Sequence, residues 1–155
     1  MSSLTGSSFD ERSHIWRRVI FEFKGFDVIH GSIRDSPGPG RAISGSLPII
    51  SEAIVLDNVE ILIKLNPTLK TRLNKRFHTA EPGDIIYRPQ IPALSIFADY
   101  YDIYEPVERI GTITREDRKK VEEIVKNASS VLFVRILKAE REGISGEEEE
   151  AEESR

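Results

Sequence analysis

The sequence predicts a mainly β fold, a small closed β-barrel with one or two short helices. Short apolar runs recur along the chain between turn signals, and several have the alternation of a half-buried strand. A single long segment has clear helical periodicity. Because so many short strands would expose unpaired edges in an open sheet, closure into a barrel is the favoured arrangement.

The first strand is predicted at Val19–Phe23, where apolar residues lie at every second position, 19, 21 and 23, with Arg18, Glu22 and Lys24 as the polar residues of the pattern. Gly25 interrupts the run, and residues 26–33 resume it as a hairpin partner. Residues 35–40, DSPGPG, then predict a loop. The loop is glycine-rich, but its prolines lack backbone donors and no Lys-Ser or Lys-Thr pair follows, which argues against phosphate binding.

The middle of the chain predicts a short helical piece at 41–47 and a strand at 59–65, VEILIKL. Two more strands are predicted at 85–87 and 93–98. A tight turn at Pro82-Gly83-Asp84 precedes the first of them.

The helical segment begins after Thr114, which is a favourable capping residue. Val121, Ile124 and Val125 then fall on one helical face, and acidic residues occupy the first turn, where negative charge suits the helix dipole. A final strand is predicted at 131–137, VLFVRIL.

Charge is distributed unevenly and defines the expected domain limits. The whole chain of 155 residues has a net charge of −4. Residues 139–155 carry eight acidic and two basic side chains, so residues 1–138 have a net charge of +2. The run EEEEAEE repels itself and has little apolar surface to bury, which predicts an acidic disordered tail at 139–155. The Ser-rich residues 1–13 are also expected to be disordered, leaving one domain at 14–138.

The composition excludes several protein classes. No apolar run is long enough for a transmembrane helix, and the N-terminus lacks the pattern of a secretory signal, so we expect a cytoplasmic protein without a membrane partner. Cysteine is absent, which excludes disulfides, thiolate metal ligands and cysteine nucleophiles. About twenty isoleucines and 31% charged residues resemble the composition of proteins from hot environments and indicate a thermophilic source.

Several segments in this order resemble a prokaryotic cyclophilin-like family of small β-barrel proteins, formerly classed as a domain of unknown function. The similarity covers about 120 residues of the chain. It includes Leu47-Pro48-Ile49, the strand at 59–65 and Ile110-Gly111. Its most specific part is PGDIIYRP, residues 82–89, followed by 94–97. The resemblance implies a small barrel with the cyclophilin topology, in a family whose members are not established prolyl isomerases.

We therefore expect a binding module, with no catalytic residues, no metal and no cofactor, that holds a peptide segment or a small molecule. The candidate ligand-binding residues form an aromatic cluster around one arginine: Tyr87, Arg88, Phe97, Tyr100 and Tyr101. Tyrosine and arginine combine apolar area with hydrogen-bonding capacity. The alternative is a peptidyl-prolyl isomerase, which needs an apolar recess and a donor such as Arg88 beside the amide nitrogen.

Other chemistry has weaker support in the sequence. His14, His30 and His78 are far apart and accompany no nucleophile motif, so strand or surface positions are expected for them. No cysteine and no His-x-x-x-His spacing is present for zinc. The acidic residues at 99, 102 and 105 predict a solvated loop.

The densest basic stretch lies between residues 64 and 76 and is followed by Phe77, a pattern that can track a phosphate backbone. The nearly neutral domain and the acidic tail argue against nucleic-acid binding. A homodimer through an exposed barrel strand is an alternative use of the aromatic surface.

Overall fold

A computed structural model describes residues 15–139, without the side chain of Phe77. The predicted disordered segments, 1–13 and 139–155, lie outside the described residues apart from Ala139. The nine strands are β1 Ile15–Phe23, β2 Ile29–Asp35, β3 Ile49–Leu56, β4 Glu60–Lys64, β5 Phe77–Ala80, β6 Asp84–Arg88, β7 Ala93–Phe97, β8 Tyr101–Ile113 and β9 Leu132–Lys138. The helices are α1 Pro39–Ser44 and α2 Arg118–Asn127, with 3-10 turns at Pro67–Leu69 and Arg115–Asp117.

Eight strands form a closed antiparallel ring in the order β2-β1-β9-β3-β4-β7-β6-β8, and β8 pairs back with β2. The predicted mainly β fold and its closed barrel are therefore confirmed. The closing pairs run from Gly31 opposite Ile113 to Ile33 opposite Gly111. We call this β2–β8 junction the seam.

Glycine is required at the seam because the two strands approach closely. A β-carbon on Gly111 would lie 2.1 Å from the backbone oxygen of Ser32, which no real side chain permits. The Ile110-Gly111 pair singled out in the sequence therefore marks the place where the barrel closes.

The barrel interior is filled by the inward side chains of the ring strands. Phe21 and Phe23 stack there with ring centroids 6.4 Å apart. Helix α2 adds Val121, Ile124 and Val125 to the same core, as its helical periodicity predicts.

The thirteen-residue strand β8 extends beyond the ring, and β5 pairs with this extension. Together they cover the outer face of β6 and β7. A second apolar cluster, which we call the second cluster, fills the space between this extension and the barrel. It consists of Val59, Ala80, Ile86, Phe97, Ile103 and Val107. Strands β6 and β7 are consequently buried on both faces, and every residue of the two strands is buried, including the polar residues Asp84, Arg88 and Ser95.

Most predicted elements are present, with small shifts of their ends. The structure contains the first hairpin, the strand predicted at 59–65, both strands around residue 90 and the last strand. The DSPGPG segment is only partly a loop, because Pro39 begins α1, a position that proline favours.

Strands β3, β5 and β8 were not predicted. The acidic residues expected in a solvated loop include Asp102 and Glu105, which instead lie in β8. Asp102 is exposed and alternates with Ile103, which faces the second cluster, whereas Glu105 accepts a hydrogen bond from Arg88.

Within the described part of the chain, no helix combines the length and apolarity needed to cross a membrane.

Candidate functional site

The five predicted ligand-binding residues do not line one groove. Tyr87 and Phe97 are fully buried, and Arg88 is 7% exposed. Tyr101 is partly buried beside the second cluster, whereas Tyr100 is 67% exposed. Only Tyr100 contributes to the pocket described below.

Arg88 is an ion-paired residue of the buried strand β6. Its Nε and Nη2 donate to the two carboxylate oxygens of Glu60 at 2.8 and 3.1 Å. Its Nη1 donates to Glu105, and Nε also lies 3.3 Å from the hydroxyl oxygen of Ser95. Arg88 is buried because the β5–β8 extension covers this face of the barrel, and a covered guanidinium requires carboxylate partners.

The buried aromatics have structural partners. The hydroxyl of Tyr87 accepts a hydrogen bond from the backbone N–H of Thr71 at 2.9 Å and donates to the oxygen of Leu69 at 3.3 Å. Burial raises the pKa of this phenol. Phe97 stacks on Tyr101 with centroids 5.8 Å apart, within the usual range for aromatic pairs. These rings hold the extension against the barrel.

Tyr101 also makes a hydrogen bond to a residue outside the second cluster. Its hydroxyl donates to a carboxylate oxygen of Asp57 at 2.9 Å. This hydrogen bond and the charge of Asp57 raise the pKa of Tyr101.

One histidine has a carboxylate partner. Nδ1 of His30 lies 2.9 Å from Oδ2 of Asp117, which also accepts the backbone N–H of His30 at 2.7 Å. Burial pushes the pKa of Asp117 upward, but hydrogen bonds from His30 and Lys120 outweigh it, and the pKa lies below its ordinary value. The ionised Asp117 thus ties the start of α2 to β2.

The other residues considered in the sequence, the remaining histidines and the basic stretch, do not form a site with the five predicted ligand-binding residues. His78 is exposed on β5, and His14 lies outside the described residues. Across residues 15–139, no three His, Asp or Glu side chains are grouped so that they could hold a metal ion. The basic stretch around residues 70–76 is mostly exposed, and its backbone at Asn74 is held by a carboxylate oxygen of buried Glu108 at 2.6 Å.

A concave pocket of about 370 Å³ lies on the outside of the barrel, over the seam. We call it the seam pocket. Strands β1, β2, β8 and β6 contribute to it, together with the turn before β6 and the first residue of α2. Its lining residues are Trp16, Arg34, Glu81, Pro82, Asp84, Tyr100, Arg109, Gly111, Thr112 and Arg118.

The turn at one wall follows from its sequence. The backbone N–H of Asp84 donates to the oxygen of Glu81 at 3.0 Å, and Gly83 has φ +91°. Proline at the second position and glycine with positive φ at the third are typical of a type II turn, as predicted. The backbone N–H of Glu81 also donates to the Asp84 carboxylate at 2.9 Å, which keeps that carboxylate at the pocket wall.

Three arginines from distant parts of the chain meet at the pocket. Arg109 on β8 lies 3.4 Å from a carboxylate oxygen of Asp84. Burial raises the pKa of Asp84, while its bonds from Glu81 and Arg109 act in the opposite direction. Arg118 reaches under the turn, and its buried Nε has no hydrogen-bond partner among the described residues. That Nε would lie 2.7 Å from a β-carbon on Gly83, so glycine is needed there for space as well.

Aromatic rings flank these charges. Trp16 on β1 pairs with Arg34 on β2, whose guanidinium carbon lies 5.4 Å from the centre of the indole ring. This distance is that of a cation–π contact. Tyr100 is the most exposed lining aromatic, at 67%.

This arrangement favours binding of an anion. Arginine guanidinium groups match the geometry of carboxylate and phosphate oxygens. A concave pocket lined by cationic donors and aromatic rings is suited to holding a ligand.

Part of this site falls on segments singled out in the sequence. The turn at 81–84 and the Ile110-Gly111 pair belong to the motifs that resemble the cyclophilin-like family, and both segments contribute to the pocket lining. The three arginines were missed because they are far apart in the chain and only the seam and the start of α2 bring them together.

Comparisons with known proteins support the fold. No protein-family model matches the chain, and no curated protein matches it. The structure of McbB in complex with tryptophan is similar, with a TM-score of 0.64, 16% identity, and coverage of 79% of this chain and 45% of that one. The solution structure of the hypothetical protein AF2241 from Archaeoglobus fulgidus has a TM-score of 0.60 and 20% identity, covering 81% of this chain and 97% of that one. At these identities the likeness shows a shared small β-rich fold.

Proposed function

We propose that this chain is a cyclophilin-like β-barrel acting in the cytoplasm as a non-catalytic binding module, and that the seam pocket holds a small anionic molecule or the charged end of a peptide segment. The observation that carries the proposal is the convergence of Arg34, Arg109 and Arg118 with two aromatic rings in one concavity. The volume of about 370 Å³ lies near the lower end of ligand pockets, which run from about 300 to 1,000 Å³.

The cyclophilin-like part of the proposal rests on the sequence motifs and on the closed ring. The motif at 81–84 forms the turn that shapes the pocket, and Ile110-Gly111 forms the seam beside it. Both motifs therefore serve the same place in the fold.

Isomerase activity through Arg88 has no support from the geometry. All three guanidinium nitrogens of Arg88 donate to Glu60 or Glu105. No observation favours a second candidate function, and we expect no acceleration of prolyl isomerisation.

NMR titration of the isotope-labelled full chain tests the proposal. The probes are citrate, inorganic phosphate, N-acetyltryptophan and a short acidic peptide; the third is chosen because the structural neighbour McbB was solved with tryptophan. We expect at least one probe to shift the amide signals of Gly111 and Thr112. The shifts should weaken strongly in Arg109→Gln.

Arg135→Gln is the matched control, because Arg135 is also a strand arginine paired with a carboxylate, that of Glu22 at 2.6 Å, but lies outside the pocket. The proposal is wrong if none of the probes shifts the seam signals, or if Arg135→Gln weakens binding as much as Arg109→Gln.

A further inference from the structure

The balance of charge in the seam pocket restricts what it can hold. Arg34, Arg109 and Arg118 face Glu81 and Asp84, so the lining has one net positive charge when both carboxyl groups are ionised. A ligand with one negative charge neutralises this lining, whereas a dianion leaves an excess of negative charge.

The positions of the rings add a second restriction. Trp16 lies on β1 and Arg109 on β8, with β2 between them, and Asp84 follows on β6. Three strand spacings of about 4.8 Å make the pocket about 14 Å wide from β1 to β6. The cations on β2 and β8 therefore lie between Trp16 at one side and the turn before β6 at the other.

From these two features we infer that the seam pocket recognises an aromatic monocarboxylate, its carboxylate held by the central arginines and its ring packed against Trp16 or Tyr100. The inference rests on the proposed function and names the ligand class for the same site. A free aromatic acid and the C-terminal aromatic residue of a peptide present the same chemistry, and the test includes both.

Trp16 supplies a direct readout because it is the only tryptophan of the chain. The full-length protein is titrated with 3-phenylpropionate, which does not fluoresce in the tryptophan range, and the emission of Trp16 gives the dissociation constant. Matched probes are the neutral 3-phenylpropionamide, the aliphatic hexanoate and inorganic phosphate. The peptide Gly-Gly-Phe is compared with its C-terminal amide to test the second source of ligand.

We expect 3-phenylpropionate to bind at least about tenfold more tightly than its amide, since charge-assisted hydrogen bonds to arginine are lost in the amide. Hexanoate and phosphate should also bind more weakly. Arg109→Gln should weaken binding about tenfold and Tyr100→Leu several-fold, with Arg135→Gln unchanged.

Equal binding of acid and amide, or tighter binding of phosphate or hexanoate, would overturn the inference while leaving an anion- or ligand-binding pocket in place. Absence of binding by every probe, here and in the NMR titration, would instead remove the proposed function itself. If Gly-Gly-Phe binds more tightly than 3-phenylpropionate and its amide does not bind, the source is a peptide C-terminus.

Discussion

Two groups of arginines in this barrel differ in burial: the Arg88 side chain is 8% exposed, whereas that of Arg109 at the seam pocket is 46% exposed. Arg88 is covered by the β5–β8 extension and has a bidentate contact with Glu60 and a further contact with Glu105. At the seam pocket, Arg109 has a 3.4 Å contact with Asp84, and Arg118 has a buried Nε with no partner in the described chain.

An arginine beside aromatic residues in the sequence is therefore weak evidence for a binding site. Arg88 is covered by the β5–β8 extension, and its buried charge is paired with carboxylates. The seam arginines line an open concavity, where the Arg109 side chain is 46% exposed.

The largest expected effect concerns the buried arginine. Arg88→Met leaves the Glu60 carboxylate buried without its cation, and such losses cost about 3–5 kcal/mol. The free energy of unfolding in urea measures this directly. Replacing both residues with methionine should restore part of the loss, because an apolar pair leaves no buried charge unpaired.

Glu105→Gln is the control for this cluster. The Glu105 side chain is 47% exposed, so its contribution should stay below about 1 kcal/mol. A cost below 1 kcal/mol for Arg88→Met itself would show that Arg88 behaves as a surface residue and that the contrast between the two groups is false.

Core and pocket aromatic residues should differ in the same way in how much they contribute to the free energy of unfolding. Phe21→Ala creates a cavity in the barrel core and should cost about 3–5 kcal/mol, whereas Tyr100→Ala at the pocket rim should stay within about 0.5 kcal/mol. Chemical denaturation of both variants at one temperature compares them. Similar costs for the two would place Tyr100 in the core and remove an aromatic wall from the pocket.

The smallest effect is a pair of opposite pH dependences. Asp117 has a lowered pKa in the fold, so its stabilising contribution is present above about pH 3.8 and is lost as the pH falls through the folded pKa. Asp84 has a raised pKa, so its contribution is present below about pH 3.8 and is lost as the pH rises through the folded pKa.

Urea unfolding of Asp117→Asn and Asp84→Asn between pH 7 and pH 3 measures both pH-dependent contributions to stability. Relative to the natural chain, we expect Asp117→Asn to become less harmful toward low pH and Asp84→Asn to become more harmful. If the loss of unfolding free energy changed with pH in the same direction for both variants, burial and hydrogen bonding would not shift the two carboxyl pKa values in opposite directions.

Local sequence patterns were enough to predict the class of the fold and most of its local structure. Alternation around Phe21, the Pro82-Gly83 turn and the helical spacing of Val121 and Ile124 are local patterns, and each produced the predicted element. Strand β8 was not predicted because its acidic residues depend on tertiary contacts: Ile103 beside Asp102 packs in the second cluster, and Glu105 pairs with Arg88.

Which charged side chains are buried, and which of them lie together, depends on contacts between distant parts of the chain. Arg88 is covered because a distant strand extension folds over it, and Arg34, Arg109 and Arg118 meet because ring closure brings β2 beside β8 and α2 beneath the turn. Such pairings depend on sheet order and closure. A single sequence contains the local propensities but not the contacts between residues far apart along the chain, and these contacts create the seam pocket.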